Sequence, residues 1–212
     1  MPIMKSPYDA PRSDLEHVER EEAEYLNLPG FGVRAGARVI DMVINLGIGL
    51  GAGLMGGIML VVAELAGVIQ PGWDSRIEDM GLLENLIGVV MAVSYGAVAE
   101  WVGGATLGKA ILGLQVLHAD GQRRIGMGAA LGRNLAFYID SFFFGVVGYR
   151  AMSSSPINQR YGDKWASTRV VRAREMPPHL YSLPRVGIGL ALGCLVGMGA
   201  GAAMFVVAAA LL

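Results

Sequence analysis

Residues 186–212 close the chain without one Asp, Glu, Lys or Arg. As a helix this run reaches roughly 40 Å, enough to cross a hydrocarbon core of ~30 Å. Backbone polar groups in lipid must be satisfied within the segment, which makes a helix the natural form. A second apolar run, residues 39–69, would reach roughly 46 Å and must tilt or protrude. Its only charges, Asp41 and Glu64, lie roughly 35 Å apart on a helix, so each can sit near an interface. A third span is predicted over residues 82–102. Composition agrees: 17% of residues are charged, against about a quarter in soluble domains. The expected fold class is an all-α membrane protein, a small polytopic helical bundle.

A fourth apolar stretch, residues 135–149, is shorter and lies between Arg133 and Arg150. Lys and Arg placement bears on how it runs, because cytoplasmic segments carry the basic excess. Lys5, Arg12, Arg20, Arg34 and Arg38 precede the first span, whereas the first loop holds only Arg76. This predicts a cytoplasmic N-terminus. Lys109, Arg123, Arg124 and Arg133 then return the chain to the cytoplasm, yet residues 150–185 are strongly basic as well. A single crossing between those two segments would break the rule. Residues 133–150 therefore read as a re-entrant or interfacial helix, turning near Gly145 to Gly148. The expected organisation is an acidic cytoplasmic arm (1–28), a membrane domain (29–175) and a C-terminal transmembrane helix (184–212), in a multi-pass protein of the plasma membrane.

Residues 114–119, Asp120-Gly121 and residues 122–125 have the pattern of a hairpin with a tight turn. Residues 168–171 are β-branched and could add a strand. Pairing them requires one side of the membrane, so a minor cytoplasmic β-hairpin is expected beside the bundle.

Several function classes are excluded. A net charge of -1 gives no basic surplus for nucleic acid. Cys194 is the single cysteine, and His17, His118 and His179 are scattered, so no metal site and no cofactor is expected. Residues 103–109 spell G-x-x-x-x-G-K, but Ala110 stands where a nucleotide loop needs Ser or Thr, and a membrane helix precedes it. Gly30-x-Gly32 lacks the third glycine of a dinucleotide fingerprint. No nucleophile–base pair is visible, so the chain is not expected to be an enzyme.

Two patterns remain. Glycines recur at every fourth position: Gly49, Gly53 and Gly57 in the first span, and Gly189, Gly193, Gly197 and Gly201 in the last. Such stripes let helix backbones approach closely, either within the bundle or between copies. Secondly, Arg34 precedes Asp41 by seven residues and Arg133 precedes Asp140 by seven. Two helical turns place both members near one face, where a carboxylate at the edge of lipid needs a partner. The economical arrangement is crossed, Arg34 with Asp140 and Arg133 with Asp41.

At this point the sequence resembles the RDD family, named for one arginine and two aspartates. The resemblance covers roughly residues 28–172. It rests on G-F-G-V-R-A-G-A-R-V-I-D (30–41), Glu100 before G-G-A-T-L-G-K (103–109), G-L-Q-V (113–116), R-N-L (133–135) and Q-R-Y-G-D-K (159–164). It implies that Arg34 and Asp41 carry the name-giving positions of the first helix, with Asp140 the candidate for the other aspartate and Asp163 at a recurrent position. The helix from Val186 is an addition to the family domain. The family is mostly without assigned activity; sodium/proton antiport has been proposed for some members, and others look like accessory subunits of membrane complexes. Two functions are therefore expected: a structural or accessory subunit, partnered by the bilayer and by itself or other membrane proteins, or a small oligomeric cation/proton antiporter. The second would bind a monovalent cation at Asp41, Asp140 or Glu100.

Overall fold

The structure, a computed structural model, describes residues 28–72, 82–141, 143 and 145–211. The acidic arm before residue 28, and most of the loop that follows the first span, lie outside the described residues. Three helices are long and apolar enough to cross a membrane: α1 (Phe31–Leu65), α2 (Leu82–Gly103) and α7 (Leu183–Leu211). Between α2 and α7 come α3 (Leu107–Ile111), β1 (Leu114–His118), α4 (Met127–Asp140), α5 (Val146–Ser153), α6 (Tyr161–Trp165) and β2 (Thr168–Arg172).

The first helix starts at Phe31, eight residues before the apolar run, and ends at Leu65. Helix geometry tolerates the polar N-terminal turns because Arg34, Ala37 and Asp41 share the buried face with Ile48, Ala52, Gly56 and Leu60. The opposite face exposes Val39, Met42, Val43, Leu46, Leu50 and Leu54, all more than 60% accessible. An apolar outer surface of that extent suits lipid, not water.

The last helix lies along both other spans. An added Cβ at Gly189 would stand 2.5 Å from the Gly103 nitrogen, one at Gly193 2.9 Å from the Tyr95 carbonyl, one at Gly197 3.1 Å from Tyr95 Cβ, and one at Gly201 3.0 Å from Ala52 Cβ. Hence α7 runs antiparallel to α2 and parallel to α1. In α1 the close approaches fall on Gly51, against Met198, and Gly56, against Phe205; at Gly53 and Gly57 an added Cβ would meet nothing within 4 Å, and at Gly49 only the end of the Met91 side chain, at 3.4 Å. Gly51 and Gly56 stand on the face of α1 that meets α7, near Ile48 and Ala52, and the regular stripe lies to one side of that face.

A contrast follows. Gly193→Ala should lower the thermal unfolding midpoint of detergent-solubilised protein, at about 1–3 kcal/mol for a methyl forced onto a packed backbone. Gly53→Ala should leave it level or raise it, since alanine is the better helix former. Equal midpoints for the two variants would contradict the packing of α7 on α2.

The chain leaves α2 at Gly103 and re-enters a span where Val186 Cα would lie 3.1 Å from a Cβ on Gly103. The whole segment 104–182 therefore departs from and returns to one end of the bundle. Within it the stretch read as a re-entrant or interfacial helix turning near Gly145 to Gly148 is two helices, Met127–Asp140 and Val146–Ser153. Helix α4 spans roughly 21 Å, too short to cross, and the chain has turned by Gly145, where α5 begins. Gly145 has φ +85, a backbone open to glycine. An added Cβ at Gly148 would lie 3.1 Å from the Asp140 carbonyl, so the two halves fold tightly together.

The sheet differs from the expected hairpin. Residues 122–125 form no strand; β1 pairs antiparallel with β2, with Val116 opposite Val170 and His118 opposite Thr168. The Asp120-Gly121 turn does exist, with Gly121 at φ +71 and its N–H donating to His118 O. The strand's other edge is occupied elsewhere: Val116 N–H donates to Gly104 O at 2.8 Å and His118 N–H to Arg123 O at 3.1 Å. Meanwhile Arg124 reaches Val102 O and Leu180 O at 2.5 and 3.3 Å, and Ile125 enters a core with Ala37, Ala97, Leu114, Val116, Ala130 and Val170. Burying Ile125 and engaging Arg124 both pull these residues out of strand register.

Candidate functional site

The closed end of the bundle holds a buried set of charges. Asp163, in the short helix α6, is its hub. Arg34 from α1 and Arg133 from α4 both pair with it, the latter at 2.9 Å, and Arg160 stands 3.8 Å away. The Asp163 carboxylate also accepts from the Arg160 backbone N–H at 3.2 Å, closing the first turn of α6. Burial would raise the Asp163 carboxyl, but the Arg34, Arg133 and Arg160 guanidiniums outweigh it and hold it well below the usual carboxylate range. Arg34 has a second anchor, donating to Asn158 O at 2.8 Å.

Glu100, near the end of α2, is a second centre. It pairs with Lys109 and with Arg133 Nε at 3.3 Å, and it accepts from Asn134 Nδ2 at 3.1 Å. Burial lowers the Lys109 ammonium to about 8, against the opposing pull of Glu100. Arg133 thus bridges Glu100 and Asp163, linking α2, α4 and α6 through one guanidinium.

Asp41 is held differently. Its Oδ2 accepts from Thr106 Oγ1 at 2.6 Å, and its Oδ1 from the Gly108 backbone N–H at 2.8 Å. The G-x-x-x-x-G-K segment does cradle an anion, and that anion is the chain's own carboxylate. Gly108 is obligatory here, because a Cβ would fall 1.9 Å from Ala37 O. The neighbouring Leu107 N–H donates to Tyr95 Oη at 2.9 Å.

The crossed pairing expected from the seven-residue repeat is therefore not formed. Arg34 pairs with Asp163 and not Asp140; Arg133 pairs with Asp163 and Glu100 and not Asp41. A helical repeat places charges on a face but says nothing about a third element. Here α6 inserts between α1 and α4, where a Cβ on Gly162 would lie 3.2 Å from Arg133 O. Asp140 lies apart from the network. One of its oxygens accepts from Gly162 N–H at 3.4 Å, while Oδ1 is buried without a hydrogen-bond partner, and burial raises its carboxyl.

Of the six charges singled out from the sequence, Arg34, Glu100, Arg133 and Asp163 meet in one network; Asp41 and Asp140 flank it. Thr106, Lys109, Asn134 and Arg160 were not singled out, although each stands inside a motif that carried the resemblance. Among the described residues no His/Cys/Asp/Glu group could hold a metal ion.

Apolar spans tied at one end by a buried arginine–carboxylate lock define an integral membrane protein of the helical class. The chain matches the RDD family model over residues 28–167 and belongs to that family. The matched region holds α1 to α6 and every charge of the lock; the last helix lies outside it. No curated protein and no solved structure matches the chain.

Proposed function

We propose that the protein acts as a structural or accessory subunit of the membrane, with no catalytic step of its own. One observation carries the reading: Asp163, Glu100 and Asp41 are each engaged by at least two donors from their own chain. A carboxylate that carries a cation must exchange partners, and these are immobilised as parts of a latch joining α1, α2, α3, α4 and α6. The charges also gather at one end of the spans, whereas transporter sites usually lie near the bilayer midplane. The basic segments around that end favour a cytoplasmic side and a plasma-membrane, multi-pass topology. The face of α1 that carries Gly53 and Gly57 is open, which supports contact with a second copy or another membrane protein.

A second reading, monovalent cation/proton exchange, is favoured only by Asp140, whose buried oxygen lacks a partner and whose carboxyl is raised. Reconstitution into liposomes with an internal pH dye separates the two. Na⁺, Li⁺ or K⁺ gradients should move no protons beyond the protein-free control. Cation-driven proton flux that Asp140→Asn abolishes in a folded protein would overturn the accessory reading.

A further inference from the structure

A cavity of about 260 Å³ opens between α1, α4 and α5. Its charged lining comprises Arg34, Arg38 and Arg160, against the single carboxylate Asp140. Arg34 and Arg160 already lean on Asp163, and each leaves its buried Nε without a hydrogen-bond partner. Arg38 has no ion-pair partner among the described residues; its guanidinium lies 3.6 Å over the Phe137 ring. Asp41 and Glu100 attract Arg38 without pairing with it, so among the described residues the arginines lining this cavity outnumber the one carboxylate that lines it.

The remaining wall is apolar, and Val39 and Met42 carry it onto the outer face of α1. There Val39, Met42, Val43 and Leu46 are 61–67% exposed. A ligand with an anionic head and long apolar tails matches both parts. Its head would face the arginines at the charged end of the bundle, and its chains would lie along α1 toward the far end. A soluble anion would use only the head site and leave the apolar wall unsatisfied. Basic pockets between spans at headgroup depth are suited to anionic lipids.

We propose that this cavity binds the headgroup of an anionic glycerophospholipid, with Arg38 as its principal donor and Arg160 beside it. Arginine is the residue for this task because its planar fork can donate two hydrogen bonds to a phosphate. The site stands whether the protein is an accessory subunit or an exchanger.

Native mass spectrometry of the protein in neutral detergent tests this, with phosphatidylglycerol and phosphatidylcholine offered in equal amounts. Phosphatidylglycerol should be retained preferentially as a one-to-one adduct and should raise the unfolding midpoint. Arg38→Gln should weaken its retention roughly tenfold to a hundredfold, as expected for one charge-assisted hydrogen bond. Arg38→Lys should weaken it less. Unfolding without lipid, recorded for each variant, keeps loss of binding distinct from loss of fold. Arg150→Gln, at an exposed arginine outside the cavity lining, controls for general surface charge. Equal retention of the two lipids, or equal weakening by Arg38→Gln and Arg150→Gln, would overturn the proposal. So would protection by inorganic phosphate as strong as by the lipid, which would mark a site for free anions.

Discussion

Asp163→Asn should be the most damaging single charge removal in the protein. It strands the buried Arg34 guanidinium, with Arg160 beside it, and leaves Arg133 with Glu100 as its one remaining carboxylate partner. Breaking a buried pair from one side costs roughly 3–5 kcal/mol, because the stranded charge keeps its desolvation penalty. Arg34→Gln should cost less, since Asp163 retains two guanidiniums. A thermal-unfolding cycle over Asp163→Asn, Arg34→Gln and the double variant should show a coupling above about 1 kcal/mol. The same cycle for Arg34 and Asp140 should show little. The reverse ranking would restore the pairing read from the seven-residue repeat. The sign of the pH dependence follows from a carboxyl held below its ordinary value. The stability it contributes is present above about pH 4 and is lost as pH falls further, so parent and Asp163→Asn midpoints should converge in acid.

Gly108→Ala should be comparably severe for a different reason. Its Cβ would stand 1.9 Å from the Ala37 carbonyl and 3.0 Å from Asp41 Cγ, so backbone and not a pliable side chain must yield. Moving α3 away would remove the Gly108 N–H from Asp41 and threaten the Thr106 bond as well. Thr106→Val removes one hydrogen bond to a charged group, about 1.5–3 kcal/mol, and Gly108→Ala should exceed it. Yield of monodisperse protein and unfolding midpoint in detergent measure both. A Gly108→Ala variant as stable as the parent would show that α3 does not seat against α1 as described.

The matching of seven residues between Arg and Asp in two segments is real, and both arginines are buried in the lock, but their partner lies elsewhere. Asp163 sits in a five-residue helix with a weak apolar pattern, more than a hundred residues from Arg34. No local period could connect them. The motif Q-R-Y-G-D-K carries the hub together with Gly162, which allows α6 to approach Arg133. It was legible as a family resemblance and not as geometry.

Some properties are one-dimensional and need only the sequence. Runs of apolar residues longer than the bilayer is thick determine the three spans, because lipid penalises every unpaired backbone group. Basic-residue spacing argued against a full crossing at residues 133–150; the structure adds that the chain leaves α2 at Gly103 and returns beside it at Val186. The glycines of the last helix also marked a packing face by themselves, since a missing Cβ is a local property. What the tertiary structure decided is which partner each exposed valence takes. The edge of β1 goes to β2 because Ile125 and Arg124 are drawn to other neighbours. The close approaches of α1 fall on Gly51 and Gly56 because those glycines stand on the face that α7 packs against. Asp41 is satisfied by the start of α3 and Asp163 by three arginines, because buried charges take the donors that converge on them in space, and convergence is set by the packing of whole helices.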